Sequence, residues 1–192
     1  MRNSKVYIAL MHYPMYNKQM ETITTSITNL DLHDISRCAK TYNVDSFFIV
    51  HPSPNQQSLI KDIMSYWQEG YGGVYNPDRK EAFNIMRLTH DFKETVDKIE
   101  NETGQKVTTV ATDARIYKNS VSYKSLKNKI FNEDKCFLIL FGTGWGIAEE
   151  LINKCDYILH PIEPGGTYNH LSVRSAVSII LDRLLGEFWF SI

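Results

Sequence analysis

The stretch FLILFGTGWGIAEE, from Phe137 to Glu150, decides the fold of this chain of 192 residues. It begins with an apolar run that predicts a buried strand, and the segment after the glycines predicts a helix. Gly142, Gly144 and Gly146 stand between them at alternate positions. Glycine lets backbone approach a ligand closely and also allows positive φ. The turn therefore either contacts a small ligand or only closes a tight bend. Its GxGxG spacing is not the GxGxxG of dinucleotide folds, so a phosphate cradle is poorly supported.

Strand and helix signals alternate on both sides of this stretch. The strands are predicted at 6–10, 46–50, 83–88, 107–111, 137–141 and 157–162, and the helices at 30–42, 58–67, 91–104, 147–154 and 171–185. Asp31 is the predicted cap of the first helix, and Gly104 ends the third. Continuous apolar strands that alternate with helices predict an α/β fold, a mostly parallel sheet with helices on both faces. Nothing splits the chain, so residues 1–192 are expected to form one domain.

Composition excludes several classes of protein. With 43% hydrophobic and 22% charged residues, the chain can bury a core and is not of the disordered class. No apolar run reaches the ~20 residues of a membrane span. Cys38, Cys136 and Cys155 have no ligand-like spacing, which favours a reducing cytoplasm and no metal site. The net charge of −1 means that any nucleic-acid affinity must come from a local patch.

Three consecutive predicted strands end in segments that suit one small ligand. They are TDAR (112–115), the glycine turn (142–146) and PIEPGGTYNHLS (161–172). Ligands of open α/β sheets bind outside the carboxyl ends of the strands. Main-chain donors and slots for flat groups favour an adenine ring and a carboxylate over a polyphosphate.

The predicted last helix, 171–185, is apolar around most of its axis. Arg174, Asp182 and Arg183 are its only charged residues. A helix of this kind is buried on more than one side. Either a second subunit covers one side, or the helix is enclosed within a single subunit, and the sequence favours neither.

The chain resembles the SPOUT superfamily of α/β-knot methyltransferases, and most closely a small bacterial RNA methyltransferase-like family within it. The matching segments are ITNLDLHDISR, YNPDR, TDAR, LFGTGWGI, HPI and YNHLSVRSA…LDRLLG, which extend over nearly the whole chain. His170 stands where many relatives have asparagine. The resemblance implies an RNA methyltransferase that uses S-adenosylmethionine and acts on tRNA. It also implies a deep trefoil knot across roughly 107–185 and a homodimer through the last helix.

The resemblance further implies which residues form the site. Thr112, Asp113, Leu140, Gly142, Thr143, Gly144, Trp145, Pro161, Ile162, Glu163, Pro164, His170, Leu171 and Ser172 are expected to hold the cofactor. Arg37, Asn169, His170 and Arg174 are the candidate catalytic residues. Arg37 could instead pair with Asp34, and Arg174 must find either an acidic residue of a second subunit or a substrate phosphate.

Two segments are candidates for RNA contact. Arg115, Lys118, Lys124 and Lys127 lie beside tyrosines, a combination that suits RNA with unpaired bases, although charge runs of this kind are more often a solvated helix face. Arg79 lies in an aromatic, glycine-containing segment (66–80), which predicts either a loop at the mouth of a site or an ordered surface turn. Two alternatives to an enzyme remain: a non-catalytic partner module that kept the cofactor pocket, and a flavodoxin-like nucleotide binder.

Overall fold

A computed structural model describes residues 2–163, 165–166 and 168–186. The strands are β1 (Lys5–Met11), β2 (Met15–Tyr16), β3 (Thr22–Ile23), β4 (Ser46–Val50), β5 (Met86–Thr89), β6 (Val107–Ala111), β7 (Cys136–Gly142) and β8 (Tyr157–Ile158). The helices are α1 (Asn29–Thr41), α2 (Pro54–Gln68), α3 (Tyr71–Tyr75), α4 (Pro77–Phe83), α5 (Phe92–Thr103), α6 (Tyr123–Asn132), α7 (Glu149–Ile152) and α8 (Val173–Leu185).

Six strands form one sheet in the order β5-β4-β1-β7-β6-β8, and every pairing in it is parallel. The short β2 and β3 pair antiparallel with each other as a separate hairpin. The predicted α/β fold with a mostly parallel sheet is confirmed. Because all six strands of the sheet point the same way, their carboxyl ends share one edge.

Alternate residues of the central strand β1 enter two different cores. Val6, Ile8 and Leu10 pack in a core with residues of α1, α2, α4, α6 and α8. Tyr7 and Met11 pack in a second core with residues of α5 and α7. Side chains of a strand point alternately to the two faces of a sheet, so helices cover both faces, as predicted. Among the residues described, no helix is long and apolar enough to cross a membrane.

Several predicted boundaries are wrong. The N-cap of α1 is Thr28, whose hydroxyl accepts from the Asp31 backbone N–H, so Asp31 is not the cap. The strand predicted at 83–88 begins only at Met86, because Pro77 starts a short helix that ends at Phe83. The strand predicted at 157–162 ends at Ile158, and the helix predicted at 147–154 is a single turn.

The burial of α8 is accounted for within the described chain. The helix packs between α1 and α6 and over β7, and Val177, Leu181 and Leu184 are fully buried. Its exposed positions include Ser175 and Ser178. Of the two alternatives that the sequence left open, enclosure within one subunit is sufficient to explain the apolar character of the helix.

Candidate active site

A cleft of about 830 Å³ opens at the carboxyl edge of the sheet. The three predicted strand-end segments meet there: Asp113, Gly144 and Leu171 all line it. The N-terminal segment and α8 complete the wall. The lining residues are Met20, Thr25, Ser26, Thr28, Asp31, Thr112–Arg115, Phe141–Gly146, His160–Ile162, Asn169–Val173, Ala176 and Ile180.

The β2–β3 hairpin is fastened to the glycine turn by backbone hydrogen bonds. The Tyr16 N–H donates to the Gly146 carbonyl (2.9 Å), and the Trp145 N–H donates to the Tyr16 carbonyl (3.0 Å). The Ala148 N–H donates to the Pro14 carbonyl (3.0 Å). Main-chain pairs of this kind fix backbone without depending on side-chain identity. The N-terminal wall of the cleft is therefore built on the glycine turn.

The glycines of this turn have a structural explanation. A Cβ atom on Gly142 would lie 2.8 Å from Ile147 Cγ1 and 2.9 Å from Met15 Cε. Gly146 has φ of 99°, and a Cβ there would lie 3.2 Å from Asp113 Oδ2. Protein atoms fill the space beside both residues. The tight bend, rather than room for a ligand, explains glycine at these two positions.

Asp113 and Arg115 form a fork-like ion pair on the cleft wall. Arg115 Nε donates to Asp113 Oδ1 (3.0 Å), and its Nη2 donates to Oδ2 (2.5 Å) and to the Ile147 carbonyl (3.0 Å). The Asp113 side chain is only 4% exposed. This carboxylate raises the pKa of Arg115, and burial together with Asp113 raises the pKa of Tyr117 to about 12. The pair fixes the 112–115 segment against the glycine turn.

Two threonines and a buried histidine connect the N-terminal segment with the glycine turn. Thr143 Oγ1 donates to the Met11 carbonyl (3.1 Å) and lies 2.5 Å from Thr25 Oγ1. Thr25 Oγ1 is 3.0 Å from His12 Nδ1. These contacts form one consistent chain of hydrogen bonds: His12 Nδ1–H donates to Thr25, the Thr25 hydroxyl donates to Thr143, and the Thr143 hydroxyl donates to the Met11 carbonyl. Burial, with a contribution from His51 stacked on it, lowers the pKa of His12 to about 3, so His12 is neutral.

The third segment of the cleft is fixed at both ends. Asn169 Nδ2 donates to the Ile162 carbonyl (3.0 Å). Ser172 is the N-cap of α8, and its hydroxyl accepts from the Ser175 N–H. Between these anchors, His170 lines the cleft and remains exposed.

Most of the residues predicted to hold the cofactor line this cleft. They are Thr112, Asp113, Gly142, Thr143, Gly144, Trp145, Pro161, Ile162, His170, Leu171 and Ser172. Leu140 does not line it, because its side chain is in the core and only its carbonyl accepts from Thr112 Oγ1 (2.8 Å). Glu163 is exposed outside the cleft. Pro164 lies outside the described residues.

The four predicted catalytic residues separate into two pairs. Asn169 and His170 line the cleft. Arg37 and Arg174 instead line a second, polar cavity of about 460 Å³ between α1 and α8, here called the α1–α8 groove. Arg174 Nη1 donates to Asp34 Oδ2 (2.8 Å), and its Nε is 3.4 Å from Asp31 Oδ1. Neither partner expected for Arg174 is required, because carboxylates of its own chain pair with it.

The predicted RNA-contact residues are also divided. Lys118 and Lys124 are exposed, whereas Lys127 Nζ donates to the Gly186 carbonyl (2.9 Å) and so connects α6 with the end of α8. The guanidinium group of Arg79 stacks on Trp67, with its Cζ atom 4.8 Å from the centroid of the ring. No residue of 66–80 lines the cleft, so this segment is not a loop at its mouth.

The sequence interpretation missed the N-terminal wall. Met20, Thr25, Ser26 and Thr28 line the cleft, but none belongs to a predicted strand end. The sequence does hold a signal for Thr28. Threonine is a favoured N-cap residue, and Thr28 stands three residues before Asp31, so it could have been predicted as the start of α1. Among the described residues, no cluster of His, Cys, Asp or Glu could hold a metal ion.

Residues 5–186 match the sequence profile of a protein family described as SAM-dependent RNA methyltransferase. The chain belongs to this RNA methyltransferase family. The match includes the described strands and helices and the whole cleft. The prediction of an S-adenosylmethionine-dependent RNA methyltransferase is thereby confirmed.

Relatives of this RNA methyltransferase differ in length. An uncharacterized protein of Aquifex aeolicus is 46% identical over 97% of this chain and 91% of its own length. A tRNA (guanine-N(1)-)-methyltransferase of Oleidesulfovibrio alaskensis is 40% identical over 95% of this chain, which spans only 42% of that relative. The SpoU methyltransferase AviRb of Streptomyces viridochromogenes, solved with AdoMet, shares the fold: TM-score 0.56, 14% identity, 96% of this chain and 60% of that one.

The cleft fits the S-adenosylmethionine that the RNA methyltransferase family uses. Small-molecule sites typically enclose ~300–1,000 Å³ and combine apolar walls with a few polar groups, and this cleft has about 830 Å³. Ile162 and Leu171 offer apolar surface for a flat ring, while Thr112 and Thr143 offer hydroxyl groups. Size and lining therefore suit an adenosyl group.

Proposed function

We propose that this chain transfers a methyl group from S-adenosylmethionine to tRNA, and that the cleft at the carboxyl edge of the sheet is its active site. One observation supports this most: segments 112–115, 142–146, 160–162 and 169–172, which are separate in sequence, line a single cleft of small-molecule size in a chain of this family. The choice of tRNA is supported by the name of the relative that shares 40% identity.

In this proposal the cofactor is held by Thr112, Asp113, Gly142–Gly144, Pro161–Ile162 and His170–Ser172. When bound, it supplies a methyl group already activated on a sulfonium. The chain must then mainly align the acceptor and accept its proton. Alignment can lower a barrier by ~7–11 kcal/mol in favourable cases, and a positioned base adds about 10²–10⁴-fold.

The acceptor side of the cleft is assigned to Asn169 and His170. His170 is exposed on the cleft wall, where its imidazole can accept the proton that the acceptor loses. Asn169 donates to the Ile162 carbonyl, which leaves its side-chain oxygen to orient the acceptor. Arg115, through the Nη1 nitrogen outside its fork with Asp113, together with Lys118 and Lys124, provides positive charge for the RNA backbone.

The remaining parts of the proposal concern assembly and topology. We infer a homodimer in which the α1–α8 groove, with Arg37 and Arg174, lies at the subunit interface and completes the acceptor site. We also propose a C-terminal trefoil knot, which the family resemblance implies, and a single domain over 1–192, because no linker in the sequence splits the chain. A tRNA substrate implies work in the cytoplasm.

The decisive experiment combines two measurements. Calorimetry with S-adenosylmethionine should show binding, and mass spectrometry should detect one methylated nucleoside in tRNA from normal cells that is missing when the protein is deleted. The His170→Ala variant should still bind the cofactor through the other residues that hold it, with some loss of affinity, and should fail to restore that nucleoside even at saturating cofactor. Cofactor binding with unchanged tRNA and rRNA nucleosides would replace the enzyme by a non-catalytic partner module. No cofactor binding would overturn the assignment of the cleft.

A further inference from the structure

We propose that Trp145 is the surface on which an unpaired base of the RNA substrate stacks as it enters the cleft. This inference rests on the proposed function. It departs from the sequence prediction, which gave Trp145 to the cofactor.

Trp145 presents a large apolar surface to solvent at the cleft. It lines the cavity, yet 54% of it is exposed. Tryptophan is usually highly buried in folded proteins, so an exposed indole beside a binding site indicates a contact surface. Met20 (52% exposed) and Leu171 (45% exposed) line the same cleft. Together they form an apolar rim.

The backbone that carries Trp145 is fixed before any substrate arrives. Its N–H donates to the Tyr16 carbonyl (3.0 Å), and the next N–H, of Gly146, donates to the Thr143 carbonyl (3.1 Å). The flanking Gly144 and Gly146 have φ of 57° and 99°. A side chain on a fixed backbone loses less conformational freedom on binding than one on a mobile loop. An exposed but fixed indole is suited to stacking.

The methyl acceptor explains why a nucleobase is the preferred occupant. The acceptor atom must reach the cofactor through the mouth where Trp145 lies. Enzymes that modify a base take it out of the stack and read it between aromatic or apolar side chains. An aromatic ring stacks on any base, so Trp145 supplies affinity, while His170 and Asn169 on the same cleft supply polar contacts.

The test compares Trp145→Ala, Trp145→Phe and the wild type. The assay measures methyl transfer from S-adenosylmethionine to bulk tRNA isolated from cells that lack the protein. Loss of one base stack should raise KM for tRNA roughly 5- to 150-fold in Trp145→Ala, from ~1–3 kcal/mol per base at 1.4 kcal/mol per tenfold. Trp145→Phe should recover most of this loss. The dissociation constant of S-adenosylmethionine, measured by calorimetry, should change less than about twofold in both variants.

Two controls separate stacking from other roles. Tyr75→Ala removes another exposed aromatic residue, 76% exposed on α3 and outside the cleft, and should leave KM unchanged. Bulk tRNA should protect the wild-type fluorescence from acrylamide quenching, and this protection should be lost in Trp145→Phe. Three results for Trp145→Ala would overturn the inference. They are an unchanged KM for tRNA, a raised dissociation constant of S-adenosylmethionine, and a changed oligomeric state measured by light scattering. A wild type that binds no cofactor or methylates no tRNA would instead refute the proposed function.

Discussion

The cleft at the carboxyl edge and the α1–α8 groove share the N-terminal end of α8 but are held together by different forces. The cleft is bounded by main-chain hydrogen bonds, such as that from Trp145 to Tyr16, and by the Asp113–Arg115 pair, whose carboxylate is buried. The groove is bounded by longer side chains at the surface, such as Arg174 on Asp34. The backbone hydrogen bonds and the buried ion pair fix the shape of the cleft. The charged side chains of the groove, in contrast, can leave their present partners and bind others.

This difference separates two kinds of functional surface in one small chain. Buried pairs and backbone contacts hold a shape against which a small ligand binds with little reorganisation. Exposed ion pairs contribute little stability, so their loss to a phosphate or a second subunit costs little. We therefore expect substitutions in the cleft to change stability and cofactor affinity together, and substitutions in the groove to change neither by much.

The largest effect is expected from Gly146→Ala. Its φ of 99° is unfavourable for any residue with a Cβ, and the new atom would approach Asp113 Oδ2 at 3.2 Å. The strain should lower the free energy of unfolding by about 1–3 kcal/mol, and displacement of Asp113 should weaken cofactor binding at least about tenfold. Chemical denaturation and calorimetry measure the two quantities. Gly166→Ala is the matched control, because nothing lies within 4 Å of the added Cβ; equal behaviour of the two variants would refute the prediction.

A second effect, in the buried network behind the cleft wall, is a loss of stability in acid caused by His12. Its folded-state pKa is lowered to about 3, so between that value and the ordinary 6.5 only the unfolded chain takes up this proton. Stability should therefore fall as pH drops below about 6.5, by about 2 kcal/mol at pH 5 from this group. The lowered pKa of His51 acts in the same direction. His12→Asn, which keeps a donor for Thr25, should show a flatter profile of unfolding free energy against pH; parallel profiles would contradict the assignment.

The smallest effects are expected in the α1–α8 groove. Arg174→Gln should cost about 1 kcal/mol, because the pair with Asp34 is partly exposed and the buried Asp31 carboxylate keeps the Thr28 hydroxyl as a donor. The difference should shrink as salt is raised. Arg37 is exposed and takes part in no ion pair among the described residues, so Arg37→Gln should change stability by less than about 0.5 kcal/mol. If Arg37 serves the acceptor site, methyl transfer should nevertheless fall while cofactor affinity is preserved. A loss of stability in Arg37→Gln comparable to that of Gly146→Ala would erase the distinction between the two surfaces.

The sequence predicted the parts of the fold that depend on continuous local signals. Apolar runs such as 137–141 located the parallel strands, and the strand-end segments 112–115 and 142–146 located the cleft, because parallel strands bring their carboxyl ends to one edge. The strand at 157–158 was predicted too long, because apolar residues recur at Leu159 and, after His160, at Ile162, although the pairing with β6 stops at Ile158.

The sequence could not predict contacts between side chains distant along the chain. Arg174 pairs with Asp31 and Asp34, about 140 residues away, and no local pattern signals that pairing. The β2–β3 hairpin was missed because a strand of two residues is too short to show the alternation of apolar and polar residues that predicts a strand. Gly142 was correctly placed at the cleft, but packing against Met15 gives it a reason that only the assembled structure reveals.

The cleft takes its walls from Met20–Asp31 near one end of the described chain and from Val173–Ile180 near the other. During translation the early strands can pair as they leave the ribosome, but the wall that α8 forms is the last to be added. A nascent or truncated chain that lacks α8 would thus carry most of the sheet and only part of the receptor for the methyl donor, so full cofactor affinity reports completion of the fold.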